Sequence, residues 1–156
     1  MNKEHQYQLK LNWTGNTGLG TADYRSYHRS YTVSINGKAD ILGSSDTPFR
    51  GDGAKHNPEE FLLMAIASCH MLWYLHLCAD AGIVVIEYHD EAKGKMIEVQ
   101  GGGGKFEEVV LHPVVVITDA TMIEKANQLH SEANKKCFIS NSCNFPIWHL
   151  PVCKAV

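Results

Sequence analysis

Nineteen consecutive residues, Phe61 to Ala79, carry no formal charge, and a stretch that long leaves few choices. It either crosses a bilayer or forms a helix apolar on every side, which the rest of the protein or a second copy must cover. The residues in and around it favour the second. Ser68, Cys69, His70 and His76 interrupt the run, and Glu59, Glu60 and Asp80 border it. Asn57 is placed to cap a helix, Pro58 suits its first position, and Glu60 can reach back to the N–H of the cap. Gly82 supplies the residue on which such a helix ends. With 44% apolar residues, 20% charged residues and a net charge of −3, the composition is that of an ordinary soluble protein, and no Lys/Arg cluster is present to hold a nucleic acid. Neither a membrane nor a nucleic-acid partner is expected. A chain of 156 residues predicts one domain, 1–156, around one core.

The rest of the chain alternates between strand patterns and turns. Tyr7, Leu9, Leu11 and Trp13 alternate with polar neighbours, which predicts a strand with one buried face. Asn36-Gly37 between Tyr31–Ile35 and Lys38–Leu42 predicts a hairpin with a type I′ turn. Ile83–Tyr88 and Lys95–Val99 read as strands, and Gly101–Gly104 as a flexible turn into a strand over Phe106–Ile117. That glycine run lacks the Lys-Ser/Thr ending of a phosphate loop and does not lead into a helix. Thr121 with Glu124 resembles a capping box, and Ile123, Ala126, Leu129, His130 and Ala133 recur at helical spacing up to Lys136. The segment Asn144–Val152, with Pro146 and Pro151, predicts an edge strand. Strand pairs combined with two main helices make the expected fold class α+β.

Cys69 sits inside the apolar helix, where a thiol ordinarily packs as a small hydrophobe. Burial raises its pKa and leaves it inert, so a reactive Cys69 requires a cation beside it. Arg50 is the candidate, being permanently charged and placed in the unperiodic segment Gly43–His56 that leads into the helix. Glu59 is suited to orient the Arg50 guanidinium through a two-point contact. Ten residues of helix span about 15 Å, so Glu59 cannot touch Cys69 of its own helix. Two copies of the helix crossing antiparallel at a two-fold axis would bring Glu59 of one chain to Cys69 of the other, which predicts a homodimer with composite sites. Cys137, just past the second helix, is the candidate resolving thiol: it would attack a sulfenic acid on Cys69 and close a disulfide. Cys78, Cys143 and Cys153 read as structural, although Cys143 is a possible competing thiol.

Metal binding is disfavoured, because there is no Cys-x-x-Cys or His-Glu-x-x-His and His70 and His76 do not share a helical face. His70 projects about 100° from Cys69 around the helix and reads as a core or interface residue. No cofactor and no metal is expected. The segment Met1–Gln6 lacks the apolar stretch of a secretory signal, so a cytoplasmic protein with five reduced cysteines is the expectation.

Asn57-Pro58-Glu59-Glu60-Phe61-Leu62 leading to Ala67-Ser68-Cys69-His70, with Cys137-Phe138-Ile139-Ser140 after a second helix, resembles the OsmC/Ohr family, the osmotically inducible and organic hydroperoxide resistance proteins. The resemblance implies an OsmC-like α+β fold with antiparallel sheets, an intertwined homodimer and the long apolar helix at its centre. It further implies a peroxidatic Cys69, a resolving Cys137 and the acid Glu59 beside Arg50. Arg25 and Arg29 lie in the earlier segment from which some members supply the arginine, and Phe138 stands where members often have Pro. The implied activity is thiol-dependent reduction of organic hydroperoxides, recycled by an external dithiol. Phe49, Phe61, Met64 and Trp73 are candidates for the apolar pocket. The alternative is a non-catalytic protein that binds a small apolar ligand in the same cleft.

Overall fold

A computed structural model describes residues 3–156. They form two compact units, one ending at Phe61 and the other starting at Leu62.

In the first unit, strands β1 (Lys10–Trp13), β2 (Tyr31–Ser34) and β3 (Ile41–Gly43) make an antiparallel sheet in that order. Trp13 pairs with Tyr31, and Tyr31 with Gly43. The hairpin between β2 and β3 is present, but its turn is not type I′. Lys38 N donates to Ile35 O at 3.0 Å, and only Gly37, with φ 75°, is left-handed. One positive φ at the third turn residue is the type II pattern. The expected buried face of the first strand is also corrected, since Leu9, Leu11 and Trp13 are 58%, 61% and 46% exposed. A three-stranded layer cannot cover its own apolar face.

After β3 a 3-10 turn, Thr47–Phe49, is capped by Asp46, whose carboxylate accepts the Thr47 N–H at 2.7 Å. The long helix α1 (Pro58–Asp80) starts with the expected reciprocal cap. Glu60 N donates to Asn57 Oδ1 at 2.8 Å, and Asn57 N donates to Glu60 Oε2 at 3.3 Å.

The second unit carries α1 onward. The helix closes on Gly82, with φ 72°, where Ile83 N donates to Cys78 O at 2.9 Å and Gly82 N to Ala79 O at 3.1 Å. These two bonds are a Schellman motif, and the missing Cβ lets Gly82 take the left-handed conformation without strain. By length and composition α1 is long and apolar enough to cross a bilayer. One stripe of it, Ile66, His70, Tyr74 and Cys78, is buried at four-residue spacing.

Six strands follow: β4 (Val85–Asp90), β5 (Lys93–Glu98), β6 (Gly104–Leu111), β7 (Pro113–Ile117), β8 (Ile147–His149) and β9 (Val152–Ala155). They build two sheets, ordered β4-β7-β9 and β5-β6-β8. The antiparallel pairs β4–β7 and β5–β6 each gain a parallel edge strand, β9 and β8 respectively. The Pro-flanked C-terminal segment therefore supplies edges, as expected. The single strand anticipated over Phe106–Ile117 is instead two strands in different sheets. His112 N leaves the ladder to donate to Asp90 Oδ1 at 2.7 Å, and Pro113 opens β7.

Helix α2 (Ile123–Lys136) buries Ala126, Leu129, His130 and Ala133, the face that its spacing foretold. Its start is corrected. Asp119, not Thr121, supplies the capping oxygen, accepting the Thr121 N–H at 2.9 Å ahead of a short 3-10 turn. One core joins Tyr74 and Cys78 of α1, Val115 and Ile117 of β7, and Ala126, Leu129 and Ala133 of α2. A second sets Ile66 of α1 on Val109 and Leu111 of β6. The fold is α+β, with antiparallel and mixed sheets and two main helices.

Candidate active site

Cys69 and Cys137 meet inside the second unit, 68 positions apart in sequence. Cys69 is half-buried on α1, while Cys137 is fully buried at the C-terminal cap of α2, its N–H held by Ala133 O at 2.9 Å. Burial pushes the Cys69 thiol above its ordinary range, and a hydrogen bond with the adjacent Cys137 thiol pushes it the same way. The backbone N–H groups of Ile139 and Phe138 are directed at the Cys69 sulfur and act in the opposite sense. A third N–H of the same turn, that of Ser140, reaches the Cys137 sulfur at 3.3 Å. Successive N–H groups in one turn form an anion-binding concavity. Here they face two sulfurs, either of which bears negative charge when it acts as a nucleophile. All five cysteines are free thiols.

Trp73 lies one helical turn after Cys69 on the same face of α1. Its ring meets Phe138 edge-to-face at 5.7 Å and 86°, and the Lys136 ammonium sits 5.6 Å from the Trp73 centroid. Trp73 and Phe138 thus put an aromatic wall beside the thiols. Met64 belongs elsewhere. With Ala65, Ala67, Ser68 and Met71 it lines a groove of about 550 Å³ closed on its other side by Tyr88–Asp90. Cys143 is half-buried after the same turn, its thiol donating to Ile139 O at 3.3 Å. Cys78 and Cys153 pack into the larger core.

The charged candidates lie in the first unit. Arg50 is exposed and left-handed, with φ 63°, at a cleft of about 400 Å³ that it shares with His28, Arg29, Ser44, Asp52 and Lys55. The cleft wall is tied by Lys55, which bonds Asp52 at 3.0 Å and Ser30 at 2.8 Å. Glu59 is half-buried in the first turn of α1, and its charge, after burial, raises the Tyr31 phenol above its ordinary value. Among the described residues, Arg50 and Glu59 form no ion pair within the protomer. Arg29 is sandwiched between Tyr24 and Tyr27 at 4.2 and 4.1 Å and donates to both of their carbonyls at 2.6 Å. Arg25 is exposed, its backbone N–H bonded to Asp23 at 2.6 Å.

Two features of this region are not legible in the sequence. The N–H groups aimed at the sulfurs come from a turn whose shape no residue type announces, apart from Ser140 and Asn141 as turn formers. The other is a buried imidazole cluster. His70 is fully buried, as expected for a core histidine, but its Nε2 meets His130 Nδ1 at 3.0 Å, and His149 tilts against both rings. The signal was the buried-face position of His130 on α2.

The family model for OsmC-like proteins matches residues 51–149, a span that holds Glu59, Cys69 and Cys137. The chain belongs to the OsmC-like family. This OsmC-like protein is 27% identical over 143 residues to an uncharacterised Bacillus subtilis (strain 168) protein, YmaD, covering 89% of the chain and 87% of its relative. Among solved structures, an OsmC-like protein of unknown function from Vibrio cholerae superposes with a TM-score of 0.85 at 27% identity, over 96% of this chain and all of that one. An organic hydroperoxide resistance protein from Elizabethkingia anophelis superposes with a TM-score of 0.69 at 22% identity, over 99% of this chain and 100% of that one. Another, from Legionella pneumophila, gives 0.67 at 18% identity over 97% and 99%.

Proposed function

We propose that this OsmC-like protein is a cysteine-based peroxidase that reduces organic hydroperoxides to alcohols. The observation that carries it is the juxtaposition of Cys69 with a buried Cys137 under backbone N–H groups that favour a charged sulfur. The Cys69 thiolate attacks the distal oxygen of the hydroperoxide, the O–O bond breaks, and the alkoxide takes a proton and leaves as the alcohol. Cys69 is left as a sulfenic acid. The Cys137 sulfur attacks it, forming the Cys69–Cys137 disulfide and releasing water. An external dithiol then reduces the disulfide by two exchange steps and is itself oxidised. The aromatic wall of Trp73 and Phe138 suits an organic peroxide better than hydrogen peroxide.

Since burial works against the Cys69 thiolate, the reading gives Arg50 the task of stabilising that thiolate and the charge developing on the peroxide oxygens. Glu59 orients the Arg50 guanidinium. A homodimer is part of the proposal, with Glu59 of one chain serving Cys69 of the other, because one helix cannot join them. Support comes from the apolar side chains left open in each unit, Leu9 and Leu11 in the first and Leu72, 63% exposed, on α1. Two structural neighbours are named as organic hydroperoxide resistance proteins. A reducing compartment, the cytoplasm, is where free thiols and a dithiol reductant coexist.

The groove of about 550 Å³ beside Met64 and Met71 favours a second reading, in which the protein holds a small apolar ligand without turnover. Steady-state assays with cumene hydroperoxide and dihydrolipoamide separate the two. The peroxidase consumes both in equal amounts and loses this activity in Cys69→Ser. Consumption no faster than the uncatalysed rate would leave the binding reading in its place.

A further inference from the structure

The reaction needs two sulfurs on two different helices brought within bonding distance, and the apolar contacts between those helices do not fix that distance. Ala126, Leu129 and Ala133 of α2 and Tyr74 and Cys78 of α1 share one core, but apolar burial is non-directional and tolerates sliding. A disulfide does not tolerate it, because its Cα atoms must lie about 4.4–6.8 Å apart with a defined dihedral.

A directional link is present. His70 Nε2 and His130 Nδ1 are 3.0 Å apart, their ring centroids are 5.3 Å apart, and their planes differ by 10°. The centroid separation exceeds the N···N distance by just two ring radii, so the two rings lie end to end in a common plane rather than one above the other. One nitrogen carries the proton and the other receives it along its lone pair. Such a bond is lost when either helix slides by a fraction of a turn. The Tyr74 ring lies flat on His130 at 3.8 Å and 12°, and His149 of β8 leans on both imidazoles. Both rings of the pair are fully buried, and burial, then the charges of the neighbouring histidines, holds both well below the ordinary histidine value, to about 4 for His70 and about 3 for His130. The link is therefore between neutral rings at neutral pH.

Its position in the two helices matters. His70 is the residue after Cys69, while His130 is seven residues before Cys137, two full turns of α2 and on the same helical face. We propose that the His70–His130 hydrogen bond is a register pin, a positioning pair that holds Cys69 of α1 against Cys137 at the end of α2 for disulfide closure. Among the described residues, neither imidazole hydrogen-bonds a cysteine sulfur, so the pair acts by position. This inference rests on the reading of Cys69 and Cys137 as a redox couple.

The test equilibrates the full-length protein with glutathione redox buffers. Two protein thiols and one oxidised glutathione give one Cys69–Cys137 disulfide and two reduced glutathiones, and the equilibrium constant is the effective concentration of one thiol at the other. His130→Leu keeps the apolar volume and removes the pin. His130→Asn restores a nitrogen near the Nδ1 position, and Leu129→Ala weakens the same helix without touching the link. The effective concentration is expected to fall about tenfold or more in His130→Leu, to return to within about threefold of wild type in His130→Asn, and to stay near wild type in Leu129→Ala, since misplacement of reacting atoms rather than loss of stability is being read. If His130→Leu does not fold, His70→Asn, polar but too short to reach His130, takes its place. A broken-pin variant that matches wild type, or a Leu129→Ala that falls equally far, overturns the pin. A wild type that forms no Cys69–Cys137 disulfide in oxidised glutathione overturns the redox couple itself, and the pin with it.

Discussion

Cys69 is under opposed influences: burial and the neighbouring Cys137 thiol raise its pKa, while the N–H groups of Ile139 and Phe138 lower it. Removing Cys137 takes away one of the raising causes. In Cys137→Ala the pH profile of Cys69 alkylation by iodoacetamide is expected to move to lower pH, and an unmoved or raised profile would contradict the stated balance. The buried histidines make a second prediction. Burial, then neighbouring histidine charge, holds His70 and His130 at about 4 and about 3 in the folded protein, below the ordinary histidine value of about 6.5. Between those values the unfolded chain binds more protons than the folded one, so stability is complete above about pH 6.5 and falls as pH drops through the window, by roughly 3 kcal/mol for His70 alone. Urea midpoints measured between about pH 7 and about pH 5 should fall with pH in wild type and fall less in His130→Asn. These residues differ in how they could be read beforehand. Cys69 stood out because it lies in a capped helix, whereas spacing put His130 on the buried face of α2 without announcing its partner His70, 60 positions away. The N–H groups at the sulfurs depend on the shape of the turn after Cys137, which only Ser140 and Asn141, as turn formers, begin to announce.

Helix α1 begins and ends by local rules, so its limits were legible. Asn57, Pro58 and Glu60 form the expected cap, and Gly82 the expected end. Asn57→Ala removes a side-chain acceptor from the first turn and should cost about 1 kcal/mol in chemical denaturation. Gly82→Ala meets no steric obstacle, as open space surrounds the added Cβ, yet it should cost about 1 kcal/mol through its left-handed φ alone. A Gly82→Ala protein as stable as wild type would contradict that assignment. The strands were less legible, for a different reason. Phe106 to Ile117 is rich in β-branched residues and reads as one strand, but the bond from His112 to Asp90, 22 positions away, sends its two halves into separate sheets. The parallel edges of β8 and β9 are likewise contacts between distant segments, which alternation along the chain cannot encode.

On the scale of the whole molecule, the proposed homodimer is supported by open apolar side chains, Leu72 on α1 and Leu9 and Leu11 on the first sheet. If Glu59 serves the Cys69 of the partner chain, two defective proteins should complement each other. Refolding Cys69→Ser with Glu59→Gln yields mixed dimers with one intact site each, and the mixture should regain about a quarter of wild-type activity. Activity no higher than the average of the two separate variants would place Glu59 outside the Cys69 site. Peroxide reduction by this protein depends most directly on the pairing of the two thiols. The decisive measurement is the intact mass and disulfide map of the reduced protein after one equivalent of cumene hydroperoxide, in wild type and in Cys137→Ser. The expected result is a Cys69–Cys137 bridge in wild type and a Cys69 heavier by one oxygen when Cys137 is replaced. A wild-type protein that keeps all its thiols, or a bridge that leaves out Cys69, would contradict it.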